Sequence, residues 1–168
     1  MDSWFGDVFA TARYNDTAIF QGLDAAAFVE KESVYDAEAI DWINENIEGT
    51  PVMLEANGDS YTYANRVSVL TGLPTIMGWF THEWLWRDSY DLANERAEIV
   101  KTIYTSDNLG TIASLLETYN VSYIYVGEQE RIKFAETGIN EAGLKSLGEI
   151  VFENDGVYII KLTEDLGA

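Results

Sequence analysis

Val121 to Gly127, "VSYIYVG", is the stretch that decides the fold. It is β-branched and aromatic along most of its length, the composition that suits a pleated, packed surface. Its nearly unbroken apolar character predicts a strand covered on both faces. Just before it, Leu109 to Tyr119 sets Leu109, Ile112, Leu115, Leu116 and Tyr119 on one helical stripe. Just after it, Glu128 to Glu136 reads as a helix. Further on, "LGEIVFENDGVYIIKL", residues 147–162, holds two β-rich runs around Glu153-Asn154-Asp155-Gly156. Asp-Gly supplies the positive φ angles of a tight turn, so this end is predicted to be a hairpin.

Upstream, Asp36 to Ile47 reads as a helix, with Asp36 as its cap and Ile40, Ile43 and Ile47 on one face. Pro51 then opens a short strand, "PVMLEA", which stops at Asn57-Gly58-Asp59. "SYTYANRVSVLTGLP", residues 60–74, carries mixed signals. "TIMGW", residues 75–79, is expected to be a second short strand, and Asp91 to Tyr104 a helix with Ile99, Val100 and Ile103 inward. Leu23 to Lys31 is rich in helix formers, whereas the first twenty residues show no clean period. Helices interleaved with strands give an α/β expectation: a three-layer domain with a mixed, mostly parallel sheet closed by a C-terminal β-hairpin. Residues 1–20 are expected to be an irregular N-terminal segment, and 21–168 a single domain.

Composition narrows the function. The chain of 168 residues is 47% hydrophobic and 13% aromatic, as expected of a folded domain rather than a disordered tail. No apolar run reaches the ~18 residues of a membrane span. Met1 leads straight into Asp2-Ser3-Trp4-Phe5 without a secretory signal, which reads as a soluble piece of a longer protein. The net charge of -19, from 29 acidic and 10 basic residues, repels nucleic acid. With no cysteine there is no thiolate metal site, disulfide or cysteine nucleophile.

Residues 72–87, "GLPTIMGWFTHEWLWR", hold the one histidine and three of the five tryptophans. His82-Glu83 invites comparison with the zinc-protease signature His-Glu-x-x-His, but Trp86 stands where the second imidazole must be. No Gly-x-Ser-x-Gly elbow, phosphate-cradling Gly-x-x-x-x-Gly-Lys or Gly-x-Gly-x-x-Gly occurs. No catalytic set, metal site or cofactor site is therefore assigned. Carboxylate chemistry stays open, because Glu55 ends the first expected strand and Glu83 lies just past the second. At neighbouring parallel strand ends the two acids would face one crevice, as in glycoside hydrolysis, or each would simply sit in water or pair with Arg66 or Arg87. Trp79, Trp84 and Trp86, with Tyr61 and Tyr63, read either as a wall for a sugar ring or lipid tail, or as core.

The segments "AIDWINENIEGTPVMLEANGDSYTYANRVSVLTGLPTIMGWFTHEWLWR", "IYTSD", "LLETYNVSYIYVGEQER" and "VFENDGVYIIKL" resemble, in this order, the C-terminal soluble region of the YYY membrane protein family. The match spans about residues 20 to 162, and "RVSVLTGLPTIMGWFTHEWLWR" is its specific core. "QGLDAAAF" departs from the family's usual Thr-Leu-Asp-Gly wording. The family consists of large, mostly uncharacterised polytopic proteins that resemble C-type glycosyltransferases using polyprenyl-phosphate sugar donors. The resemblance implies a soluble extracytoplasmic domain, membrane-anchored in the full-length protein and inert alone. It also implies an accessory or acceptor- or donor-binding role. The partners implied are the transmembrane part of its own parent chain and a glycan or polyprenyl-phosphate sugar, with no nucleic acid.

On that resemblance the expected substrate-binding residues are Tyr61, Tyr63, Arg66, Trp79, His82, Glu83, Trp84, Trp86 and Arg87. Arg66 and Arg87 would offer a bidentate fork to a lipid phosphate. The rival readings are a free-standing carbohydrate-active hydrolase using Glu55 and Glu83, and a non-catalytic docking domain.

Overall fold

In the computed structural model, which describes residues 29–163, "VSYIYVG" becomes β2, Val121–Val126, an interior strand of a four-stranded sheet. The expected segment 1–20 and most of the helix-rich stretch Leu23 to Lys31 lie outside the described residues. The remaining elements are α1 (Val29–Glu32), α2 (Val34–Asn46), β1 (Val52–Leu54), α3 (Arg66–Thr71), α4 (Phe80–Arg87), α5 (Tyr90–Thr105), α6 (Leu109–Thr118), α7 (Glu128–Lys133), α8 (Glu141–Lys145), β3 (Gly148–Glu153) and β4 (Tyr158–Leu162).

The strand order is β1-β2-β4-β3. β1 runs parallel to β2, while β2–β4 and β3–β4 are antiparallel. The sheet is mixed and closed by the C-terminal hairpin as expected, with a single parallel pair rather than a parallel majority. The missing parallel partner is "TIMGW", which forms no strand. Its backbone is satisfied otherwise: Asn65 Nδ2 donates to the Met77 carbonyl at 2.9 Å and Arg96 Nη1 to that of Ile76 at 2.9 Å. Side chains take the acceptors that a neighbouring strand would have used. Only the Pro74 carbonyl meets β1, through Met53 N–H at 2.9 Å.

β2 is covered on both faces, as its apolar run predicts. Ile124 and Val126 join Leu54, Tyr158 and Ile160 beneath α5 and α6, where Val100, Ile103, Ile112 and Leu116 pack. Tyr125 turns the other way, joining Met53 and Ile159 against Ala39 and Ile43 of α2 and Val67 of α3. These are the three layers. In the hairpin, Asn154 Oδ1 accepts from both Gly156 and Val157 N–H, so asparagine shapes the turn. The positive φ angles expected of Asp155-Gly156 do not occur, and glycine is needed there because a Cβ would lie 2.4 Å from the Tyr35 ring.

Two local expectations are corrected. The cap of α2 is Ser33, whose Oγ accepts from Asp36 N–H at 3.2 Å, leaving the Asp36 carboxylate free for another use. The mixed segment 60–74 contains α3, a helix too short for its apolar period to show.

Candidate functional site

The candidate site is built between the loop that leaves β1 and the start of α4. Gly58 allows it to fold back, since a Cβ there would lie 2.3 Å from Ala64 Cβ. Tyr61 and Asn65 take left-handed backbone angles, φ 63° and 62°. The loop is then tied to the start of α4: Gly58 carbonyl accepts from Phe80 N–H, and Trp79 Nε1 donates to Ala64 carbonyl at 2.8 Å.

His82 sits where these ties converge. Its Nδ1 shares a 2.7 Å hydrogen bond with Ser60 Oγ. Three rings surround the imidazole, with centroid distances of 5.3 Å to Tyr61, 5.4 Å to Trp79 and 5.8 Å to Trp86. Tyr61 and Trp79 also meet each other at 5.4 Å. Beside them opens a cavity of about 360 Å³, walled by Tyr61, Tyr63, Trp79, Val69 and Leu70, with Glu32 and Arg66 also on its lining. Tyr61 is 79% exposed and Trp86 84%, so this is a surface of rings and not a core.

Of the expected nine residues, Tyr61, Tyr63, Trp79, His82 and Trp86 therefore come together. Glu83 accepts from Gly78 N–H at 3.3 Å and pairs with Arg87 one turn on, which braces the start and end of α4. Trp84 points to a second group, edge-on to Tyr90 at 5.8 Å, while Tyr90 in turn meets Phe80 at 5.5 Å.

Arg66 reaches the lining of this cavity but is almost wholly enclosed. It is 3% exposed, and its guanidinium is clamped by two carboxylates. Nε and Nη2 donate to Asp36 at 2.7 and 3.0 Å, and Nη1 and Nη2 to Glu130 at 3.3 and 2.9 Å. Glu130 also accepts from Ala56 and Gly127 N–H, and Asp36 from the Tyr125 hydroxyl. Gly127 is needed here, because a Cβ would come within 2.9 Å of Arg66 Nη2. Burial pushes the Tyr125 hydroxyl well above its ordinary value, with Asp36 adding to the rise and Arg66 opposing it. Such a fork has no free edge for a lipid phosphate. Above it the guanidinium lies 5.5 Å from the Tyr63 ring, so Arg66 supports the cavity wall from beneath.

Glu55 and Glu83 have separate employments. Glu55 is 1% exposed, and its two oxygens accept from Val67 and Ser68 N–H at 2.9 and 2.8 Å, capping α3. Burial raises its carboxyl above the ordinary value, against the lowering pull of the Ser68 bonds and Arg66. The shared crevice required two parallel strand ends, and the second strand is absent.

Sequence reasoning missed Ser60, Tyr90 and the buried partners of Arg66. Ser60 is 22 residues from His82, and Arg66 is 30 and 64 residues from Asp36 and Glu130, distances at which no local pattern speaks. Among the described residues no cluster of histidine and carboxylates could hold a metal.

No known family model matches this chain, and no curated protein does. Among solved structures it is similar to the C-terminal globular domain of an oligosaccharyltransferase from Archaeoglobus fulgidus. The TM-score is 0.46 and the identity 12%, over 85% of this chain and 100% of that one. A likeness of that size decides neither fold nor function.

Proposed function

We propose that this chain is a non-catalytic, saccharide-binding accessory domain of a polyprenyl-phosphate-dependent glycosyltransferase. In that reading it stands on the extracytoplasmic side of the membrane, attached to the transmembrane part of its own parent chain. The membrane setting rests on the resemblance of residues 66–87 to the YYY family. The observation that carries binding is the exposed aromatic surface around His82, next to the cavity walled by Tyr61, Tyr63 and Trp79.

The chemistry fits a sugar ring. Flat apolar faces suit the C–H face of a saccharide, and His82, Ser60 and the Tyr61 hydroxyl offer donors and acceptors at the rim. Trp86 extends the same wall, while Glu83 and Arg87 hold the helix that carries it. A hydrolytic role is disfavoured, since both Glu55 oxygens are spent on backbone amides away from solvent.

Titrating the chain with a panel of mono- and disaccharides and a short polyprenyl phosphate tests the reading by tryptophan fluorescence and calorimetry. Saturable binding to a sugar is expected, lost in Tyr61→Ala at an unchanged melting temperature. Silence from the whole panel with the fold intact would overturn saccharide binding and leave the docking role.

A further inference from the structure

The cavity beside His82 is not a flat platform. Tyr61 and Trp79 meet at 5.4 Å with their planes inclined at 49°, so the two rings form a corner, and Tyr63 adds a third ring to the lining. Ring faces carry the negative side of the aromatic quadrupole, and several of them around one small volume hold an ammonium group well.

Charge points the same way. The charged residues on the lining are Glu32 and Arg66. Arg66 brings one positive charge, but Asp36 and Glu130 bind it with two negative ones, at 2.7 and 2.9 Å, which leaves the cluster net negative. Glu32 belongs to α1, where the exposed Glu30, Lys31 and Glu32 sum to one further negative charge. The field reaches the wall itself. Burial raises the Tyr63 hydroxyl above its ordinary value, Asp36 and Glu32 add to the rise, and Arg66 opposes it. A negative field over ring faces attracts a cation and repels a carboxylate.

We propose, resting on the saccharide reading above, that this cavity holds a protonated amine and that the sugar it takes is an amino sugar. The ammonium sits among Tyr61, Tyr63 and Trp79, with Glu32 as the anionic member of the lining. A neutral sugar keeps the ring contacts but lacks the charge, and a uronic acid brings the wrong sign.

Calorimetric titration of the full chain compares glucosamine, glucose, N-acetylglucosamine and glucuronate at a pH where the sugar amine is protonated. Choline serves as a cation without a sugar. Glucosamine is expected to bind at least about fivefold tighter than glucose or N-acetylglucosamine, with glucuronate the weakest. Glu32→Gln should cut that preference at least about threefold at an unchanged melting temperature, and added salt should erode it while leaving glucose affinity alone. Glucosamine binding no tighter than glucose overturns the amine assignment while saccharide binding stands. A preference that neither Glu32→Gln nor salt reduces overturns the charge argument. Choline binding with silence from every sugar overturns the amino sugar and assigns the rings to an ammonium headgroup. Silence from all of these ligands overturns both the amine and the saccharide.

Discussion

Arg66 and Arg87 each face a carboxylate, but in opposite surroundings. The Arg66 side chain is 1% exposed and its partners Asp36 and Glu130 are 2% and 0% exposed. Arg87 and Glu83 are 41% and 21% exposed, one helical turn apart on α4. Around the buried arginine lie carboxylates, backbone amides and a tyrosine hydroxyl; around the exposed one lie tryptophans and a leucine. This inverts the ordinary partition, in which charge faces water and rings face the core. The buried charges tie segments of this chain to one another: α2, α3, the end of β1, the end of β2 and α7. The exposed rings find no such partner among the described residues, which is why the binding functions are sought there.

Removing the buried cation should cost the most. Arg66→Met leaves Asp36 and Glu130 as uncompensated charges in a closed interior, and loss of one partner of such a cluster costs about 3–5 kcal/mol. Urea denaturation should show a loss of that size, with the loop from Asn57 to Asn65 loosening first, because the Ala56 amide and the Tyr63 ring both lean on the cluster. A loss below about 1 kcal/mol would mean that the charges are not the fastening of this corner.

A second prediction sets stability against binding at one residue. Tyr61 holds φ 63° with its ring 79% exposed, so it contributes strain and little burial. The left-handed backbone costs a side-chain-bearing residue roughly 1–2 kcal/mol, which glycine does not incur. Tyr61→Gly should therefore gain up to about 1 kcal/mol after the entropic cost of glycine in the unfolded chain, while abolishing saccharide binding. A stabilised protein without binding would identify the strain as kept for function. A destabilised one would show that the ring packs for structure.

How much of this could be read in advance follows the same division. The segments that fold by local pattern were legible: α5 and α6 by their stripes, β2 by its apolar run, the hairpin by its two β-rich runs, though not by the turn geometry expected of Asp-Gly. "TIMGW" has the composition of a strand but lacks a neighbour to pair with, because Asn65 and Arg96 reach its carbonyls first. α3 and α8 are too short to show a period. In the candidate site, the rings near His82 were legible as a concentration of aromatics in one stretch. Arg66 was misplaced to the surface because burial of a charge depends on partners far along the chain. A lone arginine in sequence looks the same whether it grips a ligand or an interior carboxylate.

The smallest predicted effect returns to the surface pair. Arg87→Ala removes the ion pair with Glu83, but Arg87 is exposed, Glu83 only half-buried, and the pair spans one helical turn. Such pairs contribute about 0.3–0.5 kcal/mol and weaken further in salt. Thermal unfolding at low and high salt should show a difference of that order that fades as salt rises. Glu83 would keep its contact with Gly78 N–H, so the start of α4 should hold while the last turn frays. A difference unchanged by salt would mean that packing, not charge, holds the two ends of α4 together.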